Sequence, residues 1–280
     1  MACPFESDLV LDQRISDARL RAFSAGYETR QFRLAPLVDV IAEVIPEFAL
    51  GYYHGQQIPL THLRKKLREA ALRVYTTDKY GKRGEFGELI LHLLLRDYFG
   101  SIPLISKIYF KDADNATVHG FDGVHVVNTA QEKSLWLGES KLYRDGASGV
   151  KELAADVAKH LERDYLRREF SLISPKLPTD VPEIEHWRKL LHEHRRLEDV
   201  LNSVTIPVLC TYTSPAVNGH NDNTAEYIED FKKECNELNR QFLSKHVRTD
   251  VNVVLLLLPV ACKDELVSKL DERLKHMQSI

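Results

Sequence analysis

The stretch of sequence with the clearest chemical content is Leu135-Trp-Leu-Gly-Glu139-Ser-Lys141-Leu. In a β-strand, side chains alternate between two faces, so Glu139 and Lys141 continue the face that carries Leu135 and Leu137. A carboxylate and an ammonium group at the end of an apolar stripe are costly to bury unless they are paired or coordinated. A bound metal ion would provide that compensation.

A second carboxylate, Asp122, stands on the preceding predicted strand, where it and its flanking glycines interrupt a β-branched run. The polar turn 129–133 joins the two strands into a predicted hairpin, which brings Asp122 and Glu139 within reach of one ion. Oxygen ligands suit a hard cation such as Mg²⁺ or Mn²⁺. Such an ion polarises a phosphoryl group and lowers the pKa of water, and Lys141 would orient that water and offset charge in the transition state. The combination indicates phosphodiester hydrolysis.

A third acid lies on the helix predicted over residues 84–99. Glu88 is in register with Leu91 and Leu95 and therefore lies on an apolar face, where a bare carboxylate is costly. Glu85 lies near the helix N-terminus, where the helix dipole is sufficient to explain it. We therefore take Glu88, and not Glu85, as a further metal ligand.

This ordered set of a helical glutamate, an aspartate and a Glu-x-Lys strand resembles the PD-(D/E)XK nuclease superfamily. Asp122 matches the first acid of the motif, Glu139 the second and Lys141 the lysine, while Glu88 matches the glutamate found on the first core helix. Phe121 stands where the motif has its proline.

Residues 83–161 resemble more narrowly the HamA family, the nuclease subunits of Hachiman anti-phage systems. The segments Gly-Glu-Phe-Gly-Glu-Leu, Gly-Phe-Asp-Gly-Val-His and Gly-Glu-Ser-Lys carry this resemblance. The resemblance implies a DNA-cleaving effector that is held in check by a superfamily 2 helicase, a HamB-like partner. It also implies a role in a bacterial defence system.

The order of the predicted helices and strands that position these residues indicates an α/β fold, with a mixed sheet flanked by helices as in PD-(D/E)XK nucleases. We assign residues 1–75 to a mostly helical N-terminal extension and residues 76–280 to the nuclease domain. A charged helical insertion, which we interpret as an interaction arm, covers about 169–202. The predicted helices are 36–50, 60–75, 84–99, 148–168 with Ser148 as its N-cap, 183–202, 224–246 and 263–277. The predicted strands are 104–110, 120–128, 134–143, 204–212 and 251–258.

The composition of the 280 residues, with 44% hydrophobic and 28% charged residues, is that of a soluble globular protein. A net charge of −3 excludes histone-like basicity, so contact with DNA requires a local basic patch. The candidates lie before the acidic helix and after the hairpin: Lys79, Lys82, Arg83, Lys151, Lys159 and Arg163. An ordinary charged surface explains these residues equally well.

The longest apolar run, 253–260, is too short to span a bilayer, and Pro259 interrupts it, so we expect no membrane contact. The N-terminus also lacks the pattern of a signal peptide. The four cysteines are far apart and form no zinc-binding pattern.

Three alternatives to a deoxyribonuclease stay open at this point. Glu139 and Lys141 could form an exposed salt bridge at a sheet edge, which would stabilise the fold little. The chain could be a catalytically silent nuclease-fold module that binds DNA and a helicase. It could also be an RNase on the same scaffold, because the site residues act on the phosphodiester and not on the sugar.

Overall fold

A computed structural model describes residues 3–51, 59–74, 84–106, 120–129, 133–177, 181–245 and 251–280. The strands in these ranges are β1 (Asp12–Ser16), β2 (Leu20–Ser24), β3 (Tyr27–Glu28), β4 (Gln31–Phe32), β5 (Ile102–Ser106), β6 (Gly123–Asn128), β7 (Lys133–Tyr143), β8 (Val204–Thr213) and β9 (Asn252–Val260). The helices are α1 (Leu34–Glu43), α2 (Ile45–Leu50), α3 (Leu60–Val74), α4 (Glu85–Phe99), α5 (Gly146–His160), α6 (Arg163–Ile173), α7 (Ile184–Leu190), α8 (Leu197–Leu201), α9 (Pro215–Asn218), α10 (Ala225–Lys245) and α11 (Lys263–Ser279).

The main sheet has seven strands in the order β1-β2-β9-β8-β7-β6-β5. Strands β2, β9, β8 and β7 run parallel to one another, while β1 pairs with β2, and β6 with β5 and β7, in the antiparallel sense. Strands β3 and β4 form a small separate ribbon. The predicted mixed sheet is therefore confirmed, and β7 lies in its interior, between β6 and β8.

Helices cover both faces of the sheet, and each face has its own apolar core. Residues of α5, α6, α7, α8 and α10 fill the core on one face, and residues of α1, α2, α3, α4 and α11 fill the core on the other. Strand β9 is buried along nearly its whole length, as its near-continuous apolar sequence predicts. This layered α/β architecture is consistent with a nuclease-like fold.

Several element predictions are confirmed: the long buried helix α4, the β6–β7 hairpin, and the elements β8, α10, β9 and α11 near the C-terminus. Strand β5 starts before the predicted residue 104 and is followed by 107–110, which lie outside the described residues. The described part of residues 1–75 contains the helices α1, α2 and α3 but also contributes β1 and β2 to the main sheet. No strand was predicted there.

Three predicted helices are each divided in two. The predicted helix 148–168 is α5 and α6, because Glu162 adopts an extended backbone between them. Its N-cap is Asp145 and not Ser148: the Asp145 carboxylate accepts the backbone N–H of Ser148 at 2.8 Å. The predicted helix 36–50 is α1 and α2, and Pro46 stands in the first turn of α2, where proline is well tolerated.

The predicted helix 183–202 is likewise two short helices, α7 and α8, joined by a polar segment. In the part of the chain that the structure describes, no helix combines the length and apolar character required to cross a bilayer.

Candidate active site

The β6–β7 hairpin places the two predicted acids on neighbouring strands. Gly123 of β6 pairs with Gly138 of β7 at the end of the hairpin away from the turn. Asp122 is the residue before Gly123 in the chain, and Glu139 is the residue after Gly138. The backbone N–H of Asp122 donates to the carbonyl of Gly138 at 2.8 Å. The hairpin geometry therefore brings both backbones side by side, as the sequence predicts.

The carboxylate of Asp122 is buried and its orientation is fixed by β7. Its Oδ2 accepts hydrogen bonds from the backbone N–H of Ser140 at 2.9 Å and from the Ser140 hydroxyl at 2.8 Å. The side chain thus continues the pairing between the two strands at the point where β6 begins. Ser140, which lies between Glu139 and Lys141, is the residue that positions Asp122.

Glu139 is buried on the face of β7 that α5 covers. Leu135 and Leu137, on the same face, are fully buried, which confirms the alternation argued from the sequence. The Oε1 atom of Glu139 lies 3.1 Å from Lys141 Nζ, and its Oε2 atom lies 3.8 Å from His160 Nδ1. Since β7 lies inside the sheet and Glu139 is only 6% exposed, the alternative of an exposed edge salt bridge is wrong.

The ammonium group of Lys141 lies among three carboxylates. Besides Glu139, its Nζ is 2.7 Å from Asp156 and 3.7 Å from Glu152. Burial alone would lower the pKa of Lys141, but the hydrogen bond to Asp156 and the charges of Glu139 and Asp156 outweigh it and raise the pKa. Lys141 therefore keeps its proton at neutral pH.

His160, near the end of α5, completes this side of the site. Its ring stacks on Tyr165, with centroids 4.5 Å apart, and contacts Phe121 edge-on at 4.8 Å. Burial lowers the pKa of His160 to about 4, so the imidazole is neutral at pH 7. Within the described residues, its Nδ1 is buried without a hydrogen bond.

Glu88 approaches from the opposite side of the sheet. Helix α4 packs against the face of β7 that carries Ser140 and Leu142: a Cβ added to Gly87 would lie 2.9 Å from the Ser140 hydroxyl. By alternation this face is opposite to that of Glu139. Glu88 is buried and Glu85 is half-buried, as the sequence argument predicts, but β7 lies between the α4 layer and the side chain of Glu139.

A comparison with models of protein families matches HamA over residues 4–274. The chain belongs to the HamA family. The match extends well beyond the segment 83–161 that carries the resemblance, and it includes the N-terminal strands and the region 169–202. The HamA family is associated with Hachiman anti-phage defence. A search of curated proteins found no match.

The donor set of this HamA-family chain suits a hard cation. Asp122 and Glu139 offer carboxylate oxygens from adjacent strands, and a Mg²⁺ ion commonly uses one or two carboxylates together with water and phosphate oxygens. Among the described residues, no three His, Cys, Asp or Glu side chains are grouped as metal ligands. Metal binding by Asp122 and Glu139, and the role of Glu88 as a third ligand, therefore stay predictions.

The basic residues predicted to contact nucleic acid are only partly described. Lys151 and Lys159 on α5 and Arg163 on α6 are exposed, as a phosphate contact requires. Lys79, Lys82 and Arg83 lie outside the described residues.

The site has three neighbours that were not predicted from the sequence: Asp156, Glu152 and His160. A usable signal was present, because these residues recur at four-residue spacing on one helix directly after the Glu-x-Lys strand. What the sequence did not give was the packing of that helix face against β7.

Proposed function

We propose that this HamA-family protein is a metal-dependent deoxyribonuclease, the effector of a Hachiman anti-phage system. The observation that supports this proposal best is the burial of Asp122 and Glu139 on adjacent strands, with the ammonium group of Lys141 at 3.1 Å from Glu139. Burying carboxylates costs free energy, and a bound cation would add to the compensation that Lys141 and Ser140 provide.

In this proposal Asp122 and Glu139 hold Mg²⁺ or Mn²⁺, with Glu88 as a further candidate ligand. The bound ion would polarise the phosphoryl group and lower the pKa of the attacking water. Ser140 holds Asp122 in place through two hydrogen bonds. Lys141, which keeps its proton at Nζ, donates to the water or to a phosphate oxygen and stabilises the negative charge of the transition state.

His160 contributes by remaining neutral. A protonated imidazole 3.8 Å from Glu139 would compete electrostatically with a bound cation. Because burial keeps the pKa of His160 near 4, that competition is removed at neutral pH.

The biological setting of the proposal follows from family membership and not from geometry. As a HamA-family effector, the protein would act in the cytoplasm together with a superfamily 2 helicase that restrains it. DNA would be held by exposed basic residues, including Lys151, Lys159 and Arg163.

The test is cleavage of plasmid and linear DNA in Mg²⁺, in Mn²⁺ and in EDTA, with the protein purified alone and with its helicase. Glu139→Gln removes a ligand charge at constant volume, and Glu185→Gln, at an exposed position of α7, is the matched control. We expect metal-dependent cleavage that Glu139→Gln abolishes and Glu185→Gln retains. Cleavage that persists in Glu139→Gln would contradict the assigned site.

A second candidate function is a catalytically silent module that binds DNA and the helicase. It is favoured by the absence of a three-ligand metal group among the described residues. Metal binding without any cleavage, in the presence of helicase and damaged DNA, would favour it. Parallel assays on RNA of the same sequence separate a deoxyribonuclease from an RNase.

A further inference from the structure

Outside the active site, a cavity of about 590 Å³ opens between α6, the segment after α7, and α8. This volume lies in the range of small-molecule sites, about 300–1,000 Å³. Its lining divides into a charged part and an apolar part. The charged part includes Arg167, Arg168 and Arg195.

The three arginines concentrate positive charge at one side of this cavity. Arg167 is half-buried, and its guanidinium donates to the backbone carbonyl of Glu193 at 2.9 Å, which fixes its position without consuming its charge. Arg168 and Arg195 are exposed and form no ion pair with any described residue. Among the described residues of the lining, Glu193 carries the one carboxylate, and its Oε1 lies 3.5 Å from His194 Nε2.

The remaining wall of the cavity is apolar. It includes the buried side chains of Phe170, Leu191, Leu197 and Val200. A site with several arginines beside an apolar wall favours a ligand with a strongly anionic group and an apolar ring. A phosphate monoester, with a charge of about −1.5 to −2 at neutral pH, matches several arginines better than a carboxylate does.

We propose that this cavity binds a nucleoside phosphate, with the phosphate at Arg167, Arg168 and Arg195 and the nucleoside against the apolar wall. The same chemistry is present in a free nucleotide and at the end of a nucleic-acid strand. The proposal does not depend on cleavage activity, since none of these residues belongs to the active site.

Helix α6 lies between the cavity and the active site. On its other side, α6 carries Tyr165, which stacks on His160, and Glu169, whose Oε2 would lie 2.7 Å from a Cβ at Gly120. Gly120 is two residues before Asp122. The helix that lines the cavity therefore also contacts residues next to the active site.

The test is titration calorimetry on the full chain carrying Glu139→Gln, in EDTA, so that neither cleavage nor metal binding contributes. The probes are AMP, ATP, adenosine, inorganic phosphate and a short 5′-phosphorylated oligonucleotide. The variants are Arg168→Ala with Arg195→Ala, and the control is Arg188→Ala, an exposed arginine of α7 that pairs with Glu185.

We expect AMP or ATP to bind more tightly than adenosine or phosphate alone, and the double variant to weaken binding at least about tenfold. Binding by the oligonucleotide alone, lost in the double variant, would identify a strand end as the source of the same group. The proposal is overturned if no nucleoside phosphate binds at millimolar concentration, or if the double variant binds like Arg188→Ala. Loss of DNA cleavage with nucleotide binding retained would affect only the proposed function.

Discussion

The Ser140 hydroxyl is one of the groups that hold the Asp122 carboxylate, which makes Ser140→Ala a direct probe of the candidate site. Ser140 is buried, and its hydroxyl and backbone N–H both donate to Asp122 Oδ2, at 2.8 and 2.9 Å. Alanine removes the first bond and keeps the second. Its methyl group fits without collision, because it is smaller than the side chain it replaces.

The expected magnitude follows from the charge of the acceptor. A hydrogen bond to a charged group contributes about 1.5–3 kcal/mol, so the carboxylate is held less firmly in Ser140→Ala. Loss of a group that orients a metal ligand typically lowers metal affinity about 10- to 100-fold. We therefore expect Mg²⁺ and Mn²⁺ affinity to fall by about that factor, and the rate of cleavage with it.

The assay is titration calorimetry with Mn²⁺ and Mg²⁺, together with urea unfolding in EDTA. Ser134→Ala is the matched control: Ser134 is buried near the start of the same strand, and its hydroxyl accepts the Trp136 indole N–H at 2.8 Å. Both variants should have a lower free energy of unfolding than the wild type. The assignment is refuted if both bind the metal equally well, or if Ser134→Ala weakens binding as much as Ser140→Ala.

Three further predictions concern the surroundings of this site. Asp156→Asn removes the carboxylate nearest to Lys141, and because one partly exposed ion pair contributes about 1 kcal/mol, we expect the cleavage rate to fall a few-fold. Burial holds the pKa of His160 near 4, below its usual 6.5, so the unfolded state binds more protons at intermediate pH. The neutral imidazole therefore contributes to stability above pH 6.5, and this contribution is lost as the pH falls to about 4. The free energy of unfolding should fall by up to about 1.4 kcal/mol per pH unit in this window, which urea unfolding measures. Gly120→Ala places a methyl group against the Glu169 carboxylate, and overpacking of this kind costs about 1–3 kcal/mol in free energy of unfolding.

Each of these predictions has its own comparison. Glu152→Gln, at a carboxylate 3.7 Å from Lys141, should slow cleavage less than Asp156→Asn does. The free energy of unfolding of His160→Gln should depend less steeply on pH than that of the wild type. An unchanged slope would show that the buried imidazole does not cause the pH dependence. A Gly120→Ala protein as stable as the wild type would mean that Glu169 yields without cost.

The sequence was informative where a feature has a local period. The alternation along β7 placed Glu139 and Lys141 on one face, and the helical repeat of α4 identified Glu88 as buried. The short polar turn was sufficient to predict the hairpin. In each case the deciding physics, the direction of successive side chains, is contained in a few neighbouring residues.

The sequence was uninformative where a partner lies far along the chain. Strand β2 has five residues and pairs with β9, more than 200 residues away, so no local pattern identifies it. The apolar repeat continues from α5 into α6 and conceals the break at Glu162. Asp156 and Glu152 became site residues only through the packing of α5 over β7, which periodicity does not specify.

The strand order has a consequence for the timing of synthesis. During translation β7 has only β6 beside it until β8 and β9, which begin at Val204 and Asn252, leave the ribosome. Until then β7 is an edge strand with open backbone groups, and Glu139 and Lys141 lack the sheet that buries them. A nascent or prematurely terminated chain therefore carries every proposed catalytic side chain but no finished site. If the proposed nuclease activity is assigned correctly, this order of assembly keeps that activity from a chain that is still being made.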